Sequence, residues 1–357
     1  MKHCFWRLLA AIALSLILIT SLLSCGSGGY REVKSKRAWR KTVLTIDGED
    51  VSFELLRFYF FRHTAEVDGG DASLWESDGA AALTEKALKL AVDDICELYA
   101  VFAVCRDYGI DPEGDTVSDI VDEYIKCDVD GGYPDGNTKV IGNGGDYDKY
   151  LESLKALHMT DTVNRLHHRY AACLKVLDAY IQNGAEGKAN ATAEDLQGFL
   201  QSNRCAHANY AELQKFAPDG VLEICTPERA LKIYEEMKDA EGNLTRLGEL
   251  VTRYSTTQDR SGRYYSRYEI DPTAPVQYDF IASLAPGEVS ELIETEDCYR
   301  IYYGMEKDAA PEDIKSLYLA EEYMYSRIAG TTLNLATKIE YQSAYHQLTY
   351  AILSEEA

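Results

Sequence analysis

The chain has 357 residues, enough for two or three domains and a sizeable core, and its formal net charge is −23. That balance argues against nucleic acid as a partner, because binding phosphate requires a basic face. The charge is uneven: residues 1–41 carry eight Lys or Arg and one acid, which leaves −30 on residues 42–357.

Lys2 and Arg7 precede an apolar run of sixteen residues, Leu8 to Leu23. The run is short for a membrane span of ~20 residues and suits a secretory signal over residues 1–25. It ends in Leu22-Leu23-Ser24-Cys25-Gly26, which resembles the bacterial lipobox. The resemblance implies that the Cys25 sulfur is lipidated and that cleavage makes Cys25 the new N-terminus. A plain signal peptide or an uncleaved anchor is the alternative. Residues 26–41, GSGGYREVKSKRAWRK, read as a basic, flexible linker. Arg31, Lys34, Lys36, Arg37, Arg40 and Lys41 would lie near an anionic bilayer, each contributing about 1 kcal/mol at its surface. Such a patch would support a single lipid chain, which holds poorly alone; a solvated linker is the plainer reading.

Beyond Cys4 and Cys25, seven cysteines stand at Cys96, Cys105, Cys127, Cys173, Cys205, Cys225 and Cys298. Their odd number, wide spacing and lack of C-x-x-C predict buried free thiols rather than a disulfide framework or a zinc site. One or two disulfides stay open for an extracytoplasmic protein.

Along the chain, TVLTIDGED at 42–50 alternates like a strand and ends in an Asp-Gly turn. Ser52 caps a helix over SFELLRFYFFRHTAEV. After a Gly/Asp/Ala-rich loop at 68–82, Thr84 is expected to cap a long helix that Gly109 stops. A shorter helix follows at DPEGDTVSDIVDEYIKC. The Gly/Asp loop at 128–147 superficially suggests calcium, but Gly132 and Lys139 occupy the fifth and twelfth positions, where an EF-hand needs oxygen ligands. Two more helices occupy 148–184; His167 and His168 inside the second point in different directions and read as structural, not as a ligand pair. Small and polar residues at 183–191 mark a domain boundary.

Beyond it the pattern changes. A helix capped by Thr192 leads to a strand at 203–213, NRCAHANYAEL, with His207 inside it. Thr226-Pro227 opens a helix and NLTRLGELVTRYS makes another. The segment 255–275 reads as a loop, PVQYDFIASL as a short helix, and SELIE and CYRIYYG as the strands of a closing hairpin. In the last strand Tyr299, Ile301 and Tyr303 share one face, while Cys298, Arg300 and Tyr302 share the other. The tail from Pro311 reads as helical through Glu355.

In this order the segments resemble the parvulin-type extracytoplasmic foldases, PrsA-like and SurA-like. VLTIDGEDVSFELLRFYF resembles the family's opening strand, turn and helix, and ALTEKALKLAVDDICELYAVFAVCRDYGID its second long helix. LHMTDTVNRLHHRYAACLKVLDAYI is similar to the third. NRCAHANYAEL resembles the first parvulin strand, and SLAPGEVSELIETEDCYRIYYG the closing hairpin. The resemblance implies an α+β fold: a helical chaperone lobe with an inserted four-stranded antiparallel sheet flanked by helices. It implies residues 1–25 as lipoprotein signal, 26–41 as linker, 42–190 as the N-terminal helical lobe, 191–308 as the parvulin-like domain and 309–357 as helices completing the lobe.

The family's activity is peptidyl-prolyl isomerisation, which needs an apolar proline pocket that favours a twisted amide. Carried over by motif, its hydrogen-bonded network falls on His207, Thr295, Thr257 and Arg300, and its proline pocket on Ile270, Tyr278 and Phe280. Two of the four network positions depart from the pattern: Thr257 replaces an Asp or Cys, and Arg300 replaces the second His. Arg is permanently cationic and cannot act as the neutral imidazole of a His–His pair. The expectation is therefore a folding factor for unfolded or nascent exported polypeptides, anchored to the bacterial cell membrane, with a sheet domain that binds or spaces more than it catalyses. An active isomerase is the alternative. A solute-binding lipoprotein would need two α/β lobes, and few strands occur outside 203–303; a client-free structural envelope lipoprotein is the remaining class. No cofactor and no metal are implied, and a homodimer stays open.

Overall fold

A computed structural model describes residues 30–133, 140–183, 190–216, 224–256, 261–266, 278–295, 297–308 and 310–354. The signal segment with Cys25 lies outside them, as do residues 26–29, Thr257 and Ile270. The fold is α+β, with one three-stranded and one four-stranded antiparallel sheet among mostly helical elements. No helix among the described residues is long and apolar enough to cross a membrane.

The helical lobe begins with strands β1 (Thr42–Ile46) and β2 (Glu49–Ser52). The Asp47-Gly48 turn between them holds both residues at positive φ, 51° and 86°, the geometry that a two-residue hairpin demands and that Asp-Gly tolerates. The Ser52 hydroxyl accepts from Leu55 N and starts helix α1 (Phe53–Asp68). Helix α2 (Ala80–Asp107) follows, then α3 (Asp115–Asp130), α4 (Tyr147–Ala156) and α5 (Asp161–Gln182). Thr84 does not cap α2: the helix starts a turn earlier, and the Thr84 hydroxyl instead donates to Ala80 O.

The C-terminal segment closes this lobe. It comprises α10 (Lys315–Ala320), a π-helical turn at Glu321–Tyr325, α11 (Ser326–Leu335), strand β7 (Ile339–Tyr341) and α12 (Tyr350–Leu353). The expected all-helical tail is therefore interrupted: β7 pairs with β1, giving the order β2-β1-β7. Three residues carry too little local signal to announce a strand; the free edge of β1 imposes it. Arg57 on α1 is buried and ties the parts together. Its guanidinium donates to Leu353 O (2.7 Å) and His158 O (3.0 Å) and lies 4.6 Å over the Trp39 ring.

The expected linker is largely part of this body. Tyr30 stacks on Tyr147 at 5.0 Å, and its hydroxyl donates to Asp130. Val33 N donates to Asp161, Tyr147 OH to Arg31 O, and Thr162 OH to Glu32. Residues 30–41 thus form a docked collar whose six Lys and Arg side chains remain exposed. The anchoring groups are largely main-chain atoms, which composition does not reveal.

The second unit carries α6 (Ala193–Gln201), β3 (Cys205–Gln214), α7 (Pro227–Asp239), α8 (Leu244–Tyr254), β4 (Arg263–Ser266), α9 (Tyr278–Ser283), β5 (Ile293–Glu294) and β6 (Cys298–Gly304). Its sheet runs β4-β3-β6-β5, so β4 lies within the segment read as a loop. One face packs Ala211, Leu213, Tyr299 and Ile301 against α7 and α8; the other packs Ala206, Ala208 and Tyr302 against α9. Leu196, Phe199 and Leu200 of α6 belong to the helical lobe's interior, with Phe199 edge-on to Tyr318 at 5.5 Å. The hydrophobic interior therefore divides at β3 and not at residue 190. All seven described cysteines are buried and free.

Candidate functional site

His207 sits on β3 opposite Tyr264 of β4, with the two rings stacked at 3.9 Å. It is buried, at 7% exposure. Its Nδ1 faces Glu306 O, and its Nε2 lies 3.0 Å from Ser261 O. Gly262, at φ 70°, permits this approach: a Cβ there would stand 2.4 Å from Met305 Sδ and 2.8 Å from Ala208 O. Both ring nitrogens thus face main-chain carbonyls, to one of which a neutral imidazole donates, and neither Thr295 nor Arg300 is the partner. A cavity of about 460 Å³ opens beside the ring, but its lining is more polar than apolar, unlike a proline pocket.

Arg300 lies elsewhere. It faces Glu212 across the β3–β6 register, five residues along β3 from His207. An odd offset on a strand reverses the side-chain direction, so His207 and Arg300 occupy opposite faces, ~17 Å apart along the strand. Arg300 Nε and Nη2 donate to one Glu212 oxygen at 2.9 and 2.8 Å, and the guanidinium covers the Tyr210 ring at 5.3 Å. Burial works against its charge, yet Tyr302 and the Glu212 carboxylate hold its pKa above the ordinary guanidinium value. Thr295 is at the β5–β6 corner, where its hydroxyl donates to Cys298 O (2.9 Å) and accepts from Cys298 N (3.0 Å). It closes the hairpin. The described members of the expected network therefore do not share one floor.

Tyr278 and Phe280 do lie together, on α9 over the Arg300 face. Tyr278 OH donates to Asn203 O at 2.7 Å, and Phe280 meets Tyr302 edge-on at 6.3 Å. With Tyr210 and the ion pair they make a half-buried aromatic surface. It can pack against an apolar side chain, but among its described residues it presents no base or nucleophile poised to act.

A larger concavity lies in the helical lobe. A groove of about 1430 Å³ runs between the first half of α2 and the C-terminal segment. Trp75, Leu88, Val92, Ile339, Tyr341, Tyr345 and Tyr350 line it, and its lining is mostly apolar. Trp75 and Tyr350 stack at 4.6 Å, and Tyr341 and Tyr345 meet at 4.5 Å. Glu76, Glu85, Lys86, Lys89 and Asp93 rim it, with Lys89 and Asp93 paired at 3.0 Å. Small-molecule sites usually span ~300–1,000 Å³; this one is larger and has room for several side chains.

The chain is similar to solved structures of foldase proteins. Foldase protein PrsA from Streptococcus pneumoniae is 17% identical, with a TM-score of 0.31, over 75% of this chain and 91% of that one. PrsA from Bacillus subtilis is 14% identical at a TM-score of 0.25, over 84% and 93%. The foldase protein from Lactococcus lactis is 14% identical at 0.26, over 88% and 100%. No family model and no curated protein matches the chain.

The groove was not identifiable from sequence. Its aromatic walls come from Trp75 in a short 3₁₀ turn and from Tyr341, Tyr345 and Tyr350 in a tail read as helix. The one available signal was the abundance of tyrosine, 26 in all, which marks no particular position.

Proposed function

We propose that the chain is an extracytoplasmic folding factor that holds unfolded segments of exported polypeptides in the groove of its helical lobe. The observation that carries this reading is the groove itself: apolar, aromatic and open to solvent. Tyrosine and tryptophan supply large contact area at low conformational cost, which suits a surface that must accept varied sequences. Anchoring through a lipidated Cys25 belongs to the same proposal, and the exposed cations of the docked collar would then lie against anionic headgroups. The acidic body beyond it favours basic clients.

Replacing Tyr341 and Tyr345 together with Ser should weaken the holding of an unfolded reporter by about tenfold or more, the scale of losing two aromatic anchors. Light-scattering titrations of aggregation suppression measure this. Undiminished suppression by a variant with unchanged melting temperature would move the client site elsewhere.

The sheet domain is proposed to bind or space and not to catalyse. His207 has no ring nitrogen free of a main-chain carbonyl, and Arg300 is spent on Glu212. The full chain should therefore leave the rate of X–Pro exchange in a model peptide at its uncatalysed value, tens to hundreds of seconds. A rate enhancement that disappears in His207→Ala would restore the isomerase reading.

A further inference from the structure

The three-stranded sheet ends on β7, and that edge lies in the groove. Asp47 N donates to Lys338 O at 3.1 Å, and Gln342 N to Val43 O at 3.0 Å. With Thr45 opposite Glu340, the alternation of an antiparallel ladder turns the Lys338 carbonyl, the Glu340 N–H and C=O and the Gln342 N–H toward β1. It turns the N–H and C=O groups of Ile339 and Tyr341 the other way. Among the described residues, nothing hydrogen-bonds to those four groups. Tyr341 is 44% exposed, and the side chains of Ile339 and Tyr341 line the groove.

We propose that a client segment binds as an added β-strand on this edge, its main chain pairing with Ile339 and Tyr341 while alternate apolar side chains enter the groove. Two donors and two acceptors alternating at strand spacing are the complement of a polypeptide main chain, whatever its sequence. The apolar floor beneath the same two residues receives every second side chain. Lys89 and Asp93 neutralise one another, so Glu76 and Glu85 against Lys86 leave the rim acidic. The occupant is therefore an extended segment with apolar and basic residues in alternation. The inference rests on the groove being the client site, but it adds a claim about hydrogen bonding that can fail alone.

The probe is a nine-residue peptide of alternating Val and Lys, titrated against the full chain in three forms: unmodified, N-methylated at every Val, and N-methylated at every Lys. Only one set of amides can face β7, so one methylated peptide should lose affinity by about tenfold or more while the other keeps it. Hydrogen exchange should show new protection at the amides of Ile339 and Tyr341 on binding. Ile339→Pro removes an outward N–H without touching the β1 ladder and should weaken the unmodified peptide. Equal affinity for both methylated peptides, or no new protection at these two amides, overturns strand addition while leaving the groove as client site. No binding of the unmodified peptide, or binding unaffected by Tyr341→Ser with Tyr345→Ser, overturns both. If Ile339→Pro does not fold, the methylated peptides decide the matter on the unaltered chain.

Discussion

Replacing Asp161 with Ala should lower the melting temperature of the helical lobe by about 6–12 °C, following a loss near 3 kcal/mol when one partner of a buried charge network is removed. The Asp161 side chain is fully buried at the first turn of α5. One oxygen accepts from Val33 N (2.8 Å), Tyr147 OH (2.9 Å) and Arg165 Nε (3.2 Å), and the other accepts from Tyr150 OH (2.7 Å). Alanine leaves those donors and the Arg165 charge without their acceptor. It also releases the collar, whose Val33 amide is held here. Asp161→Asn keeps the shape and loses the charge, so its loss should be intermediate. Calorimetry on both variants checks this, with protease nicking between residues 30 and 41 as a second readout. A shift below 1 °C for the alanine variant would show that the collar and the α4–α5 corner hold without this hub.

Acidification from pH 7.5 to 4.5 should destabilise the same lobe by about 2–3 kcal/mol through His167 alone. Burial, then the nearby charges of Arg62 and His168, push the His167 pKa down from 6.5 to about 4, with Asp128 opposing. The ring packs near Phe58 and Tyr170, and its Nδ1 has no hydrogen-bond partner among the described residues. Because the unfolded chain binds this proton at higher pH than the folded one, stability is complete above pH 6.5 and falls as pH drops toward 4. Other groups titrate in the same range, so the measurement is a difference. Denaturant midpoints of the unaltered chain and of His167→Phe should converge or cross as pH falls, with the variant the less acid-sensitive. Parallel pH profiles would remove His167 from the acid response.

The elements legible in the sequence are those with their causes close by. Ser52 and Thr226-Pro227 announce their helices because a cap acts within three residues. The Asp47-Gly48 turn and the hairpin ending in CYRIYYG announce themselves for the same reason. Strands β4 and β7 are not legible, because four and three residues acquire strand geometry only from a partner far away in the chain. The collar reads as linker because it opens with the flexible run Gly26 to Gly29, while the atoms that dock it include the Val33 amide and the Arg31 carbonyl. At the sheet, His207 is odd-numbered on β3 and Arg300 pairs with the even-numbered Glu212, so strand alternation separates them, but that register is set across the sheet and is not written in either strand. The two carbonyls that hold His207 carry no sequence signature at all.

The pairing of β1 with β7 sets the timing of folding. Leu44 meets Tyr341, 297 residues later, so the first strand to emerge must wait for nearly the last. The four-stranded unit, whose contacts lie within residues 205–304, can close while the lobe around it is still open. A chain halted before residue 339 would carry a finished insert between two unfinished halves, with the free edge of β1 exposed. The groove is walled by both Trp75 and Tyr350, so it too is completed only when the C-terminal segment has joined the lobe. A groove built this way is unfinished until both ends of the lobe have met.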